Sequence, residues 1–253
     1  MDVNGLRAVV VGGASGMARA TATLLAEGGA RVAIFDLPSS AGQEVADELS
    51  GSFFPLDITD EQGVETAIAA AADALGGIDA AVNVAGGGVG ARTLSRKGPH
   101  PLDDFKRTVD LNLIATFNLL RLEAEVMNRN DPNEHGERGV VINTASIAAF
   151  EGQIGQVAYA SAKAGIVAMT FVAARDLGSM GVRVNAIAPS LFDTGITSMA
   201  PQEMKDALTA DAPFPKRMGR PVEYAMLARS IIENPMLNAG TIRLDGGQRF
   251  APK

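Results

Sequence analysis

Cysteine and tryptophan are absent from this 253-residue chain, and only two histidines and two tyrosines occur in it. Without cysteine there is no disulfide, no thiolate ligand for zinc and no thiol nucleophile. The histidines, His100 and His135, stand in polar stretches rich in proline and glycine and are expected on surface loops. A metal centre or a Ser-His-Asp arrangement is therefore poorly supplied, and no metal site is expected. Positive charge is also short. Against 29 Asp and Glu the chain has 22 Lys and Arg, a net charge of −7, which is the wrong sign for tracking nucleic-acid phosphates. No apolar run approaches the roughly 20 residues needed to span a bilayer. Strand-like residues begin at Arg7, too early for a charged-then-apolar leader. The expectation is a soluble cytoplasmic protein without nucleic-acid or membrane partners.

What is present is a regular alternation. Short β-branched runs at 7–11, 31–35, 52–55, 79–83, 139–145, 182–188 and 241–244 read as strands. Longer Ala-rich stretches at 16–28, 41–49, 60–75, 103–128, 154–178 and 221–233 read as helices. Runs such as Val140-Val-Ile-Asn143 are apolar on both faces, as strands covered by helices on both sides must be. The pattern predicts one α/β domain over residues 1–253, a doubly wound sheet of about seven parallel strands. Two long irregular stretches follow strands, where open α/β sheets bind ligands. One, at 86–102, carries Arg92, Arg96 and Lys97; the other, at 190–220, is proline-rich around a short helical piece and reads as a substrate lid.

The first strand meets the first helix through Gly12-Gly-Ala-Ser15-Gly16-Met17. A helix N-terminus offers unpaired N–H groups to a pyrophosphate, and glycine lets the backbone come close to it. Asp36 ends the second strand, twenty residues after Gly16. A carboxylate there accepts hydrogen bonds from ribose hydroxyls and repels a 2′-phosphate. Neither Ser15 nor Leu37 offers a cation to offset that repulsion, so the reading is a Rossmann-type site for NAD rather than NADP. Asp57 and Ile58 follow the third strand, and Asn83-Val84-Ala85-Gly86 follows the fourth. Asp57 suits the adenine amino group and suits equally a turn or N-cap before the helix near Asp60.

Tyr159-Ala-Ser-Ala-Lys163 lies in a helical stretch, which puts Tyr159 and Lys163 on one face. A free phenol titrates near pH 10, and lowering that by about three units takes about 4 kcal/mol. A lysine ammonium and a nicotinamide cation both favour the phenolate and would bring Tyr159 into acid–base range. Ser146 ends the strand thirteen residues earlier, where its hydroxyl can meet the same substrate oxygen. Each residue alone has a plainer reading: core packing for tyrosine, a solvated helix for lysine, a turn for serine. The combination points to reversible oxidation of a secondary alcohol.

The glycine turn, Asn83-Val-Ala-Gly86, Asn112, Ser146 and Tyr159-Ala-Ser-Ala-Lys163 occur in the order and spacing of the short-chain dehydrogenases/reductases, which the whole chain resembles. The resemblance implies that Tyr159 is the general acid/base and that Ser146 orients the substrate oxygen. It implies that Lys163 lowers the tyrosine pKa and binds the nicotinamide ribose, and that Asn112 holds a water in a proton relay. The stretch Pro189 to Thr194 would cover the nicotinamide, with Phe192 and Thr194 near its carboxamide. Three positions depart from the pattern: Ala18 replaces a glycine, Val11 a threonine and Ser190 a glycine.

Within the family, Phe35-Asp-Leu-Pro38, Ala149-Phe-Glu-Gly-Gln153, Pro213-Phe-Pro215, Ile231-Ile-Glu-Asn-Pro235 and Ile242-Arg-Leu-Asp-Gly246 are similar to the type II 3-hydroxyacyl-CoA dehydrogenases, the 17β-hydroxysteroid dehydrogenase type 10 group. That likeness implies NAD-linked oxidation of an (S)-3-hydroxyacyl-CoA, with steroids as further candidates, in a homotetramer. Gln153 and Gln156 precede the catalytic helix and suit a substrate pocket. Arg92, Arg96 and Lys97 suit CoA phosphates, although a solvated loop is the plainer reading. The rivals are an NADPH-dependent 3-oxoacyl carrier-protein reductase, which Asp36 opposes, and a non-catalytic NAD-sensing or scaffold protein.

Overall fold

Alternate residues of the first strand, β1 (Arg7–Val11), serve two cores on opposite sides of one sheet. Val9 and Val11 point to one and Ala8 and Val10 to the other, the period of two that strand geometry imposes. The computed structural model describes residues 1–252, the side chains of Ile196 and Ser198 excepted. The remaining strands are β2 (Arg31–Asp36), β3 (Ser52–Pro55), β4 (Ala80–Asn83), a two-residue pair β5 (Leu94–Ser95) and β6 (Gly98–Pro99), β7 (Gly139–Thr144), β8 (Val182–Pro189) and β9 (Thr241–Leu244). Seven of them form a parallel sheet in the order β3-β2-β1-β4-β7-β8-β9. The chain runs outward from β1 to β3, returns to β4 and runs outward the other way. A crevice therefore opens beyond the carboxyl ends of β1 and β4, where such sheets bind ligands.

Helices cover both faces. On one side α3 (Glu61–Leu75), α5 (Ala115–Met127) and α7 (Val157–Leu177) bury Val64, Ile68, Leu119 and Ala174 against the sheet. On the other, α1 (Gly16–Glu27), α2 (Gly42–Glu48) and α9 (Pro221–Glu233) bury Leu25, Val45, Tyr224 and Ile231. At about 1.5–3 kcal/mol for each large apolar side chain fully buried, these two layers fix which way every strand end faces.

Three details differ from the sequence reading. The helix expected over 103–128 is α4 (Leu102–Val109), a π-helical turn Asp110–Ile114 and α5. The Asn112 side chain donates to the Thr108 carbonyl at 2.8 Å, a bond that competes with the helical ladder and widens it. His100 is half-buried rather than on the surface: its Nδ1 lies 3.1 Å from the Ala91 carbonyl and its ring stands edge-on to Phe105. His135 is exposed, as expected. Finally, one helical stretch, Val157–Met180, is long and apolar enough to cross a membrane, with a mean hydropathy of 1.5 over its best window. It is the sheet-covering α7 and its 3-10 extension, with 33% of that window buried inside the protein. In the stretch 190–220 a 3-10 turn Gly195–Met199 leads into α8 (Gln202–Thr209), and a short α6 (Ala148–Glu151) precedes α7.

Candidate active site

The crevice holds a cavity of about 420 Å³ whose wall includes Gly12, Ser15, Gly16 and Met17 from the glycine turn. Gly12 takes a positive φ of 83°, and a Cβ there would lie 3.1 Å from the Ala85 nitrogen. Only glycine fits that approach. Ser15 is the N-cap of α1, and its hydroxyl makes no bond to the first turn, whose N–H groups are of the kind that take phosphate. Asp36, Leu37, Asp57 and Ile58 line the next part of the wall. The Asp36 carboxylate accepts from the main-chain N–H of Ala14 at 3.0 Å and of Leu37 at 2.8 Å, one bond per oxygen, which leaves lone pairs for a diol. Arg19, the first cation after the glycine turn, is paired with Glu48 at 2.7 Å. Asp57 accepts from both the N–H and the hydroxyl of Thr59, at 2.9 and 2.7 Å, and these bonds lower its pKa. It closes a turn on the cavity wall, while Asp60 is the N-cap of α3, which removes the N-cap alternative for Asp57.

Val84, Ala85, Gly86 and Thr194 complete the wall. Val84 and Ala85 both donate to the main-chain carbonyl of Val11, at 3.1 and 3.2 Å, bonds that need no side chain at Val11. Five residues expected at the cofactor, Asn83, Tyr159, Lys163, Pro189 and Phe192, are not on this wall. The Asn83 amide points into the protein, donating to Glu123 at 2.9 Å and to Asn143 at 3.0 Å. Phe192 is buried with its ring against Gly219, where a Cβ would meet it at 2.6 Å. Pro189 ends β8 and its carbonyl accepts from Ile147 at 3.0 Å, behind Ser146.

Tyr159 sits in the first turn of α7 and Lys163 one turn on. The Lys163 ammonium donates to the Thr144 carbonyl at 2.7 Å and lies 5.6 Å from the centre of the Tyr159 ring. The Ser146 hydroxyl lies within hydrogen-bonding reach of the Tyr159 phenol and accepts from the Ala148 N–H at 3.1 Å. Asn112, fully buried, accepts from the Gly87 N–H at 3.1 Å and donates to the Gly87 carbonyl. A Cβ on Gly86 would fall 2.7 Å from Asn112 Oδ1 and 3.3 Å from Lys163 Nζ. The fourth strand's glycine loop is thus threaded between Asn112 and Lys163, and it joins the cofactor crevice to the tyrosine.

A family model of the enoyl-(acyl carrier protein) reductases matches residues 12–248. The chain is 49% identical to human 3-hydroxyacyl-CoA dehydrogenase type-2 over 99% of its length and 98% of the relative's. The chain belongs to the short-chain dehydrogenase/reductase family. The protein of the same name from Drosophila melanogaster is 47% identical, covering 96% of this chain and 97% of that one. Among solved structures, 3-hydroxyacyl-CoA dehydrogenase type-2 from Mycobacterium avium superposes with a TM-score of 0.93 at 45% identity, over 98% of each chain. The protein is an oxidoreductase of this family, which works with a nicotinamide cofactor.

In this dehydrogenase without its cofactor, burial sets the direction of both shifts. Burial raises the Tyr159 pKa above its ordinary value of 10.0, and the Ser146 bond only partly opposes it. Burial also pushes Lys163 down, to about 8. Desolvation wins because the ammonium is spent on the Thr144 carbonyl rather than on the phenol. The other tyrosine, Tyr224, is core: its phenol meets the Thr144 hydroxyl at 2.7 Å. Gln156 is the N-cap of α7, and its side chain accepts from the Gln153 N–H at 3.0 Å. Both glutamines line a second cavity of about 440 Å³ together with Arg92, Thr93 and Leu94, while Arg96 and Lys97 form the exposed tip of the β5–β6 hairpin.

The sequence reading missed Leu111, Leu56 and Phe35 on the cofactor wall, because apolar residues at element ends carry no local mark. It missed Glu123 as well. This carboxyl is fully buried on α5, and burial raises its pKa to about 7. No sequence signal separates it from the exposed Glu125 two residues on in the same helix.

Proposed function

We propose that this dehydrogenase interconverts an (S)-3-hydroxyacyl-CoA and the 3-oxoacyl-CoA with NAD as cofactor, through Tyr159, Lys163, Ser146 and Asn112. The observation that carries the reading is the convergence of Ser146, Tyr159 and Lys163 beside a crevice whose ribose end is Asp36. NAD, when bound, supplies the hydride acceptor for the carbinol carbon. Tyr159 takes the hydroxyl proton, so that the proton leaves the carbinol oxygen and the hydride its carbon. Ser146 donates to the same oxygen and holds it against the phenol, and Lys163 holds the ribose side of the cofactor. Asn112 secures the Gly86–Gly87 turn that both share, and a water at this turn would continue the proton path.

NAD rather than NADP is supported by Asp36 and by the engagement of Arg19 with Glu48, which leaves a 2′-phosphate facing a carboxylate. The same pair of observations opposes a carrier-protein reductase using NADPH. The 3-hydroxyacyl-CoA is supported by the names of relatives that this chain matches end to end. Gln156 borders the substrate side, three residues before Tyr159. A homotetramer belongs to the same reading, supported by large apolar side chains left exposed on the two outer helices: Phe117 on α5, Phe171 and Val172 on α7.

The test is turnover of acetoacetyl-CoA, longer and 2-methyl-branched acyl-CoAs and hydroxysteroids, each with both cofactors. Activity confined to NAD(H) and acyl-CoA is expected. A preference for NADPH, or turnover only of small alcohols, would overturn the corresponding half of the proposal.

A further inference from the structure

The chain after β9 runs back against α6 and the loop before α7 on one side and against α8 and Phe214 on the other. Arg243 of β9 donates to Glu151 at 2.8 Å and to Asp245 at 2.7 Å. Arg249 then pairs with the same two carboxylates, at 3.3 Å to Glu151 and 3.1 Å to Asp245. The four charges alternate in a closed ring. Glu151 Oε2 also accepts the main-chain N–H of Phe250 at 3.1 Å. Beyond the ring, the Ile154 N–H donates to the Pro252 carbonyl at 3.0 Å and the Gln153 amide to the Ala251 carbonyl at 3.3 Å.

On its other side the segment holds the lid. Gln248, buried, donates from Nε2 to the Leu208 carbonyl in α8 at 2.9 Å. The Phe214 N–H donates to the Gly246 carbonyl at 3.4 Å. A Cβ on Gly246 would come within 3.1 Å of the Phe214 carbonyl, so the two backbones run in contact.

We propose that Asp245–Pro252 is a strap that ties the lid to the Gly152–Gln156 loop and sets the acyl-CoA side of the pocket, with Glu151 as its positioning residue. The inference rests on the acyl-CoA reading above. The loop has little support of its own. Gln153 and Gln156 bond each other, and the Gly155 carbonyl accepts from Ala91 at 2.8 Å. The Gln156 carbonyl also accepts from Ala160 of α7 at 2.7 Å, and the strap supplies the bonds at Gln153 and Ile154. The cavity lined by Arg92, Gln153 and Gln156 therefore takes its shape from where Ala251 and Pro252 lie. Arg249 is 60% exposed, whereas Arg243, Glu151 and Asp245 are 25%, 22% and 9% exposed. Ion pairs as exposed as those of Arg249 add little stability, so what they supply is the position of the strap.

Glu151→Ala and Arg249→Ala test it, the second at an exposed side chain whose loss leaves the fold intact. Amide hydrogen exchange at Ile154 and Phe250 should quicken about tenfold in either variant. The KM for acetoacetyl-CoA should rise about fivefold, with kcat and the KM for NADH within about twofold of wild type. Unchanged exchange at Ile154 in both variants overturns the strap. Faster exchange with an unchanged KM, or an equal rise in the KM for NADH, overturns its positioning role. Wild-type protein that fails to reduce acetoacetyl-CoA sinks the substrate reading instead, while the exchange measurement still decides whether the strap holds the loop.

Discussion

The ammonium of Lys163 stands 5.6 Å from the centre of the Tyr159 ring and is bound to the Thr144 carbonyl rather than to the phenol. Lys163 therefore makes no bond to the phenol, and among the described residues Ser146 is the one that reaches the hydroxyl. Tyr159→Phe removes the proton acceptor and keeps the ring against Gly88. Turnover should drop by at least about a hundredfold, the scale of general acid–base catalysis, with the melting temperature and NADH affinity retained. Steady-state kinetics beside calorimetric NADH titration checks this; undiminished turnover would falsify the mechanism.

The direction of the Tyr159 shift predicts a pH profile. Oxidation needs the phenolate, and burial holds the phenol above its ordinary value of 10.0 in the chain without cofactor. The acceptor form is thus scarce near neutrality and grows with pH. The value of kcat/KM for oxidation, which reports the free enzyme, should rise steadily between about pH 7 and 9. A flat profile over that range would show that the proton goes elsewhere.

Glu123 predicts a pH dependence of stability. Its carboxyl is raised from 4.5 to about 7 by burial, so the folded state holds its proton where the unfolded state has released it. The sign follows: wild type loses stability as pH climbs from 4.5 to about 7 and carries the full penalty above. At about 1.4 kcal/mol per pKa unit the penalty is about 3 kcal/mol. Glu123→Gln keeps the shape and removes the charge. Its melting temperature should exceed that of wild type at pH 8, with the gap closing by pH 5. A gap that stays constant across this range would mean that Glu123 does not titrate there.

Asp36 is the point at which cofactor choice can be altered. A hydrogen bond to a charged group contributes about 1.5–3 kcal/mol, so Asp36→Ala should cut the preference for NAD over NADP by about tenfold to a hundredfold. Adding Leu37→Arg supplies a cation for the 2′-phosphate and should move the preference further. The ratio of kcat/KM for the two cofactors is the measurement. It cancels the shared cost of losing the Ala14 and Leu37 bonds, and an unchanged ratio would remove Asp36 from the ribose.

Much of the site was legible along the chain because its constraints are local. Gly12 and Gly16 take positive φ within one turn, Asp36 ends a strand, and Tyr159 and Lys163 are one helical turn apart. The alternation of β-branched and Ala-rich runs was enough for the parallel sheet and for nearly every strand boundary. Asn83 and Phe192 show the limit. Both stand in motifs beside the crevice, yet their side chains turn inward, because Asn143, Glu123 and Gly219 bring them partners from distant parts of the chain.

The sequence by itself determined that Tyr159 and Lys163 share a helix face and that a carboxylate ends the second strand, since helix period and strand period need no tertiary partner. Only the tertiary structure decided what surrounds them. In the chain without the nicotinamide cation, burial raises Tyr159 and lowers Lys163, because desolvation depends on everything packed around a group and not on its neighbours in sequence. The same dependence made an ordinary-looking glutamate on α5 into a buried acid, and it brought the residues after β9 back against the loop that leads into Tyr159.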